Sequence, residues 1–197
     1  MTTAAPSMFD DEFDDEFDDE LDDELGHAPD AVVRPVPRPQ RRWTSLAACV
    51  LDAVWSGGAD HDRVVVPLAH RVLEPAATGP LITETAPGAD SHPLPRLLAR
   101  FPDEQALEEA AQNRQRTSTR GGVPKAEAVL RYARILVAHG VLGVEDLPRV
   151  LADPAAMSRI DRALRSVPGE GQHGARRTRF WVLCGVEERT TSPTRGS

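Results

Sequence analysis

The chain has 197 residues, with 31 acidic and 23 basic side chains, a formal net charge of −8 and 40% hydrophobic residues. That suffices for one domain of modest core plus a tail, and no apolar run approaches the roughly 20 residues that span a bilayer. The acidic N-terminus is unlike the basic, then apolar, start of a secretory signal.

The charge is unevenly spread. Thirteen Asp and Glu fall between Phe9 and Asp30, ahead of the first basic residue, Arg34; from Ala31 onward, 18 acidic and 23 basic residues leave +5. A strongly acidic tail on a basic body points to nucleic-acid binding or to an interaction tail. Residues 9–25 read FDDEFDDEFDDELDDEL, a four-residue repeat with Phe9, Phe13, Phe17, Leu21 and Leu25 in phase. In a helix each step of four advances about 40° beyond a full turn, so the five would form a slowly winding stripe. Like charges four apart repel, so the segment is expected to be disordered alone and helical only against a basic partner surface. Pro29, Pro35, Pro37 and Pro39 make residues 26–42 a stiff linker. The expected organisation is a tail and linker over 1–41, a helical domain over 42–188 and a second tail over 189–197.

Within the domain, Leu46, Ala47, Val50, Leu51, Val54 and Trp55 repeat as a helix face over 44–56, with Thr44 or Ser45 to cap it and Gly57-Gly58 to end it. A second helix is predicted over 61–73, a long loop over 75–93, and short helices over 94–101 and 103–112. Val129, Leu130, Ala133, Leu136 and Val137 line one face of 124–139, with Pro124 in the first turn and Gly140 as the stop. Further helices fit 144–151, 153–166 and 174–184. No stretch alternates with period two, so the predicted fold class is all-α. Cys49 and Cys184 lie in apolar helical stretches and read as buried thiols in a reducing, cytoplasmic setting. Trp55 and Trp181, at helical positions, read as core.

Two segments carry chemistry. Pro168-Gly169-Glu170-Gly171 lies between two predicted helices. Its glycines permit positive φ and close approach, and the following helix offers free N–H groups and a positive dipole end to a phosphate. Arg176, Arg177 and Arg179 follow and add charge. The second segment, NRQRTSTRGGVPKAEAVLRYARIL from Asn113 to Leu136, gathers Arg114, Arg116, Arg120 and Lys125 with three hydroxyl residues around a glycine turn. Arginines and hydroxyls at a helix entrance suit phosphate contact. The expected DNA-binding residues are therefore Arg114, Arg116, Arg120, Lys125, Gly169, Gly171, Arg176, Arg177 and Arg179.

The order of these segments is a helix beginning Gly-x-x-Lys-Ala, about forty residues, a Pro-Gly-x-Gly turn and a further helix. It resembles the helix-hairpin-helix superfamily of base-excision DNA glycosylases. The matching positions are Gly122, Lys125, Ala126, Val129, Leu130, Val167, Pro168, Gly169, Gly171 and Gly185. The stretches DAVWS, NRQRTSTR, KAEAVLRYARIL and VPGEGQ are similar to an uncharacterised bacterial branch of it, and the resemblance covers roughly residues 46–188.

The resemblance implies an aspartate downstream of the hairpin helix and, in bifunctional members, a lysine nucleophile near the hairpin. Here Ser192, Pro193 and Thr194 stand at the Lys-Pro-Asp positions, and Gln172 or His173 near the lysine position. Thr194 has no carboxylate, and the helices that would follow are absent, as in a C-terminally truncated member. Glu187 and Glu188 could stand as substitutes, but two glutamates at a helix end read as solvated side chains. No catalytic residue, metal or cofactor is therefore expected. The six histidines, His27, His61, His70, His92, His139 and His173, show no metal-ligand spacing. Asp60-His61-Asp62 reads as a polar helix start, and there is no phosphate-binding or nucleophile-elbow motif.

The function expected from the sequence is a non-catalytic DNA-binding protein that contacts the phosphate backbone and carries an acidic regulatory tail. Its rivals are a protein-interaction or DNA-mimic module acting through residues 9–25 on a basic surface, and an active glycosylase or lyase with displaced catalytic residues.

Overall fold

The structure, a computed structural model, describes residues 42–85, 88–170 and 174–186. The chain divides into two units, Met1–Pro37 and Arg38–Ser197, and every described residue belongs to the second. The acidic repeat, the proline linker, Gly171 to His173, Glu187, Glu188 and Thr194 lie outside the described residues.

The described residues form an all-helical domain of eight α-helices: α1 Leu46–Trp55, α2 Val66–Leu73, α3 Leu94–Arg100, α4 Glu104–Ala111, α5 Lys125–Ala138, α6 Leu147–Leu151, α7 Pro154–Leu164 and α8 Ala175–Leu183. A π-helical turn, His61–Val65, leads into α2. Two short strands, β1 Arg42–Trp43 and β2 Ile82–Thr83, pair antiparallel. That pairing departs from the long unstructured loop expected over 75–93. At two residues per strand, alternation has no length over which to show, so period-two patterning carried no signal.

The central element is α1, all ten of whose residues are buried. A helix apolar on every side belongs in the interior, and LAACVLDAVW is packed on by α2, α3, α5, α8 and β1. Ser45 caps it by accepting from the Ala47 and Ala48 amides, and Asp90 accepts from the Leu46 amide at 2.8 Å. These oxygens occupy the end where the helix dipole is positive. The same Asp90 carboxyl accepts from the His92 and Val144 amides, tying the segment before α3 and the turn before α6 to the start of α1.

The second long helix, α5, buries Ala126, Val129, Leu130, Tyr132, Ala133 and Leu136 against α1, α3, α4 and α7. Cys49 and Cys184 are both free and buried. Burial, followed by the neighbouring Cys49 thiol, pushes the Cys184 thiol well above its ordinary pKa, so Cys184 is not a reactive thiolate. Trp55 and Trp181 are core residues, 0% and 5% exposed.

His92 is fully buried, with no hydrogen-bond partner on either ring nitrogen. Burial, together with the charges of Arg96 and Arg100, lowers its pKa to about 4. The ring is therefore neutral in the fold, whereas the unfolded chain takes up its proton below about pH 6.5. Stability supplied by the neutral ring is complete above pH 6.5 and falls between 6.5 and 4, by on the order of 3 kcal/mol at 1.36 kcal/mol per pH unit. Urea unfolding of wild type should show this slope, and His92→Leu should flatten it. An identical slope in both chains would assign the effect elsewhere.

Candidate nucleic-acid interface and adjoining cleft

Between α4 and α5, residues 112–124 form an ordered loop. Gln112 ends α4 at φ +52°, the one positive-φ residue other than glycine among those described. The Thr117 amide donates to the Val123 carbonyl at 2.9 Å, the Lys125 amide to the Gln115 carbonyl at 2.7 Å, and the Val123 amide to Thr117 Oγ1 at 3.1 Å. Arg116 donates to the Gly122 carbonyl. At Gly122 a Cβ would run into the Ser118 backbone, so the loop closes only on glycine. Arg114, Arg116 and Arg120 are exposed on it.

The segment between α7 and α8 sits against this loop. Thr117 Oγ1 donates to the Pro168 carbonyl at 3.2 Å. Gly169 has φ +75°, and a Cβ there would overlap the Thr117 side chain. The two segments singled out by sequence are thus neighbours. The close approach that Gly169 permits is to Thr117 of its own chain, which replaces the expectation that the glycine is there for a phosphate.

The cationic residues divide. Arg114 and Arg120 face solvent and Arg179 is 40% exposed though paired with Asp52, whereas Lys125, Arg176 and Arg177 are built into the body, and the expectation that these three reach out to phosphate is corrected. Lys125 is 5% exposed. Its Nζ donates to the carbonyls of Trp55 and Gly57 and to Gln115 Oε1, at 3.0 to 3.2 Å. Three donors meet three acceptors, two of them carbonyls at the C-terminal end of α1, where a cation is favoured. Burial, then the charge of Arg176, lowers the Lys125 pKa below its ordinary 10.5.

Arg176 is 7% exposed because it lies one helical turn before Phe180, on the inward face of α8. It donates to Glu170 Oε2 at 2.9 Å, to the Val167 and Pro168 carbonyls and to the Tyr132 hydroxyl. Arg177 pairs with Asp161 and, at 3.1 Å, with Glu170. Glu170 also accepts from the Tyr132 hydroxyl at 3.0 Å and the Arg177 amide at 2.9 Å. The Tyr132 pKa is raised, chiefly by burial.

Arg179 is bound to Asp52, and Asp52 is the polar centre that sequence reasoning missed. Its carboxylate is 0% exposed and accepts from Trp43 Nε1 at 2.8 Å, Ser56 Oγ at 2.6 Å and Arg179 Nε at 3.1 Å. His61 Nε2 lies 2.9 Å away and donates to the ionised carboxylate. Burial works to raise the Asp52 pKa, but the hydrogen bonds from Ser56, Trp43 and Arg179, with the Arg179 charge, outweigh it and hold the carboxyl below 3.8. The available signal was a single carboxylate in an otherwise apolar ten-residue helix. Asp60 does cap the polar turn as expected, accepting from the Arg63 amide, but His61 reaches back to Asp52.

These groups border a half-enclosed cleft of about 480 Å³ between the end of α1, the start of α5 and α8, with Lys125, Arg176, Arg179, Glu170 and His61 among its walls and Ala53, Ala59 and Ala175 as its apolar parts. No group of three or more potential metal ligands exists among the described residues, and no helix among them is long and apolar enough to cross a membrane.

A family model described as a domain of unknown function (DUF8548) matches residues 23–193. The chain belongs to this family. The match takes in the whole described body, with both the basic loop and the α7–α8 turn. No curated protein and no solved structure matches the chain.

Proposed function

We propose that this member of the family is a cytoplasmic protein that holds DNA by its phosphates and does no chemistry on it, with α7, the turn and α8 acting as a helix-hairpin-helix element of glycosylase type and the acidic N-terminal repeat as a regulatory tail. The observation that carries the reading is the contact between the arginine-bearing loop and the Pro168-Gly169 turn through Thr117. It brings the loop that bears the exposed Arg114, Arg116 and Arg120 beside the turn. A carboxylate in such a turn would repel phosphate, but Glu170 is folded inward and neutralised by Arg176 and Arg177. The non-catalytic reading is supported by Lys125, the chain's one lysine, whose ammonium is occupied by three acceptors.

The test is binding of a duplex by the full chain at two salt concentrations. Each phosphate contact contributes about 0.9 to the slope of log affinity against log salt. Arg114→Ser with Arg120→Ser should therefore lower the slope by about 2 and the affinity at low salt roughly tenfold or more, equally across sequences. Borohydride treatment on an abasic duplex should leave no covalent adduct. Unchanged binding in the double variant would move the acidic repeat to first place as the working part. An adduct lost in Lys125→Gln would favour a lyase with a displaced nucleophile.

A further inference from the structure

The cleft beside α8 has two properties that its internal bonding leaves open. The first is a donor. Arg176 is more than nine-tenths buried, and its Nε and Nη2 have acceptors, but Nη1 has none among the described residues. A guanidinium offers five N–H donors, and a buried donor left unpaired is destabilising until an acceptor reaches it. The second is a charge. Arg179 is matched by Asp52 and Arg176 by Glu170, while Arg177 shares Glu170 and has Asp161. Lys125 is matched by no carboxylate; its three acceptors are neutral oxygens. Lys125 therefore adds to the cleft wall a positive charge that no carboxylate there offsets. The wall's carboxylates are already occupied by donors, so they offer nothing to a cation.

We propose that this cleft binds a small organic oxyanion, with a phosphate or carboxylate head on Arg176 Nη1 beside the charge of Lys125, whose own three donors stay on their acceptors, and the body of the molecule along Ala53, Ala59 and Ala175. The three alanines leave the volume open, and about 480 Å³ falls within the rough 300–1,000 Å³ of small-molecule sites. A bare phosphate would leave most of that space unfilled. The lowered Lys125 pKa fits an ammonium whose only strongly felt charged neighbour is another cation. This site is separate from the exposed loop arginines and does not depend on DNA binding.

Because Lys125 is the chain's one lysine, ¹⁵N-lysine labelling of the full chain gives a single ammonium signal, placed in the cleft. Inorganic phosphate, benzoate and adenosine 5′-monophosphate are titrated against it at constant ionic strength. A saturable displacement with phosphate or the nucleotide assigns a phosphate head, and one with benzoate a carboxylate head. The displacement should weaken at least tenfold in Ala175→Trp, which adds bulk at an exposed position of the wall, and in Ala59→Leu, which adds it at another wall position should the first variant not fold. The Arg114→Ser, Arg120→Ser chain should titrate as wild type does. No saturable displacement with any of the three, or one that both filling variants leave unchanged, overturns the proposal. A displacement lost only in the double arginine variant also overturns it, by placing the anion on the loop, and leaves the DNA reading standing.

Discussion

Asp52→Ala is expected to destabilise the fold by about 3–5 kcal/mol, the usual consequence of removing one partner of a buried ionic cluster. The carboxylate is fully buried and gathers Trp43, Ser56, His61 and Arg179. Alanine leaves the Arg179 guanidinium, still partly sheltered, without its counter-charge, and the Trp43 indole N–H facing empty space. The contribution also has a sign in pH. The folded pKa is held below 3.8, so Asp52 supplies stability that is complete above the unfolded carboxyl value and lost as pH falls through the lower folded one. Its acid limb therefore lies below about pH 4, beyond the range in which His92 acts. Chemical unfolding at pH 7 and at pH 3 tests both parts. A chain that loses less than about 1 kcal/mol at pH 7, on the scale of an exposed pair, would show that the cluster is not coupled to folding.

Glu170→Ala is expected to be of similar size, about 3–5 kcal/mol, because it leaves the buried Arg176 without its counter-charge and takes one of two carboxylates from Arg177. Arg176 and Arg177 are 7% and 13% exposed, and Glu170 is 13% exposed. Glu170→Gln should recover part of the loss, since an amide oxygen still accepts from Tyr132 or Arg176 while the charge is gone. The side chain organises the turn from within. Thermal unfolding of both variants beside Arg114→Ser, Arg120→Ser tests this. If Glu170→Ala unfolds with wild type, the cluster is ornamental, and the turn's shape comes from Gly169 and Thr117 alone.

The helices were legible in the sequence because their causes are local. The apolar repeat of α1 and the Gly140 stop each act within one or two turns of chain, and all eight observed α-helices lie within the predicted spans. The direction of charged side chains was not legible. Arg176 and Arg179 look alike in ARRTRFW, yet one is fixed inside by Glu170 and Tyr132 and the other is paired with a carboxylate 127 residues away. Lys125 reads as a surface cation at a helix entrance, until the end of α1 supplies acceptors 68 and 70 residues distant. Long-range acceptors decide whether a cation is free for a ligand, and no window of sequence contains them. The neighbourhood of the basic loop and the turn was implied only by their shared chemistry.

Trp43 precedes the first helix, yet its indole closes on Asp52 and its strand partner is Ile82. The working boundary of the domain is therefore set by a hydrogen bond rather than by where helical structure starts. A shortened chain beginning at Leu46 would keep all eight helices and look whole by circular dichroism. It would also lack Ser45, the cap of α1, and one of the donors that hold Asp52, so its ligand binding would report on a damaged cleft. Dissection of the acidic N-terminal segment from the body should cut no later than Arg38, where the second unit begins.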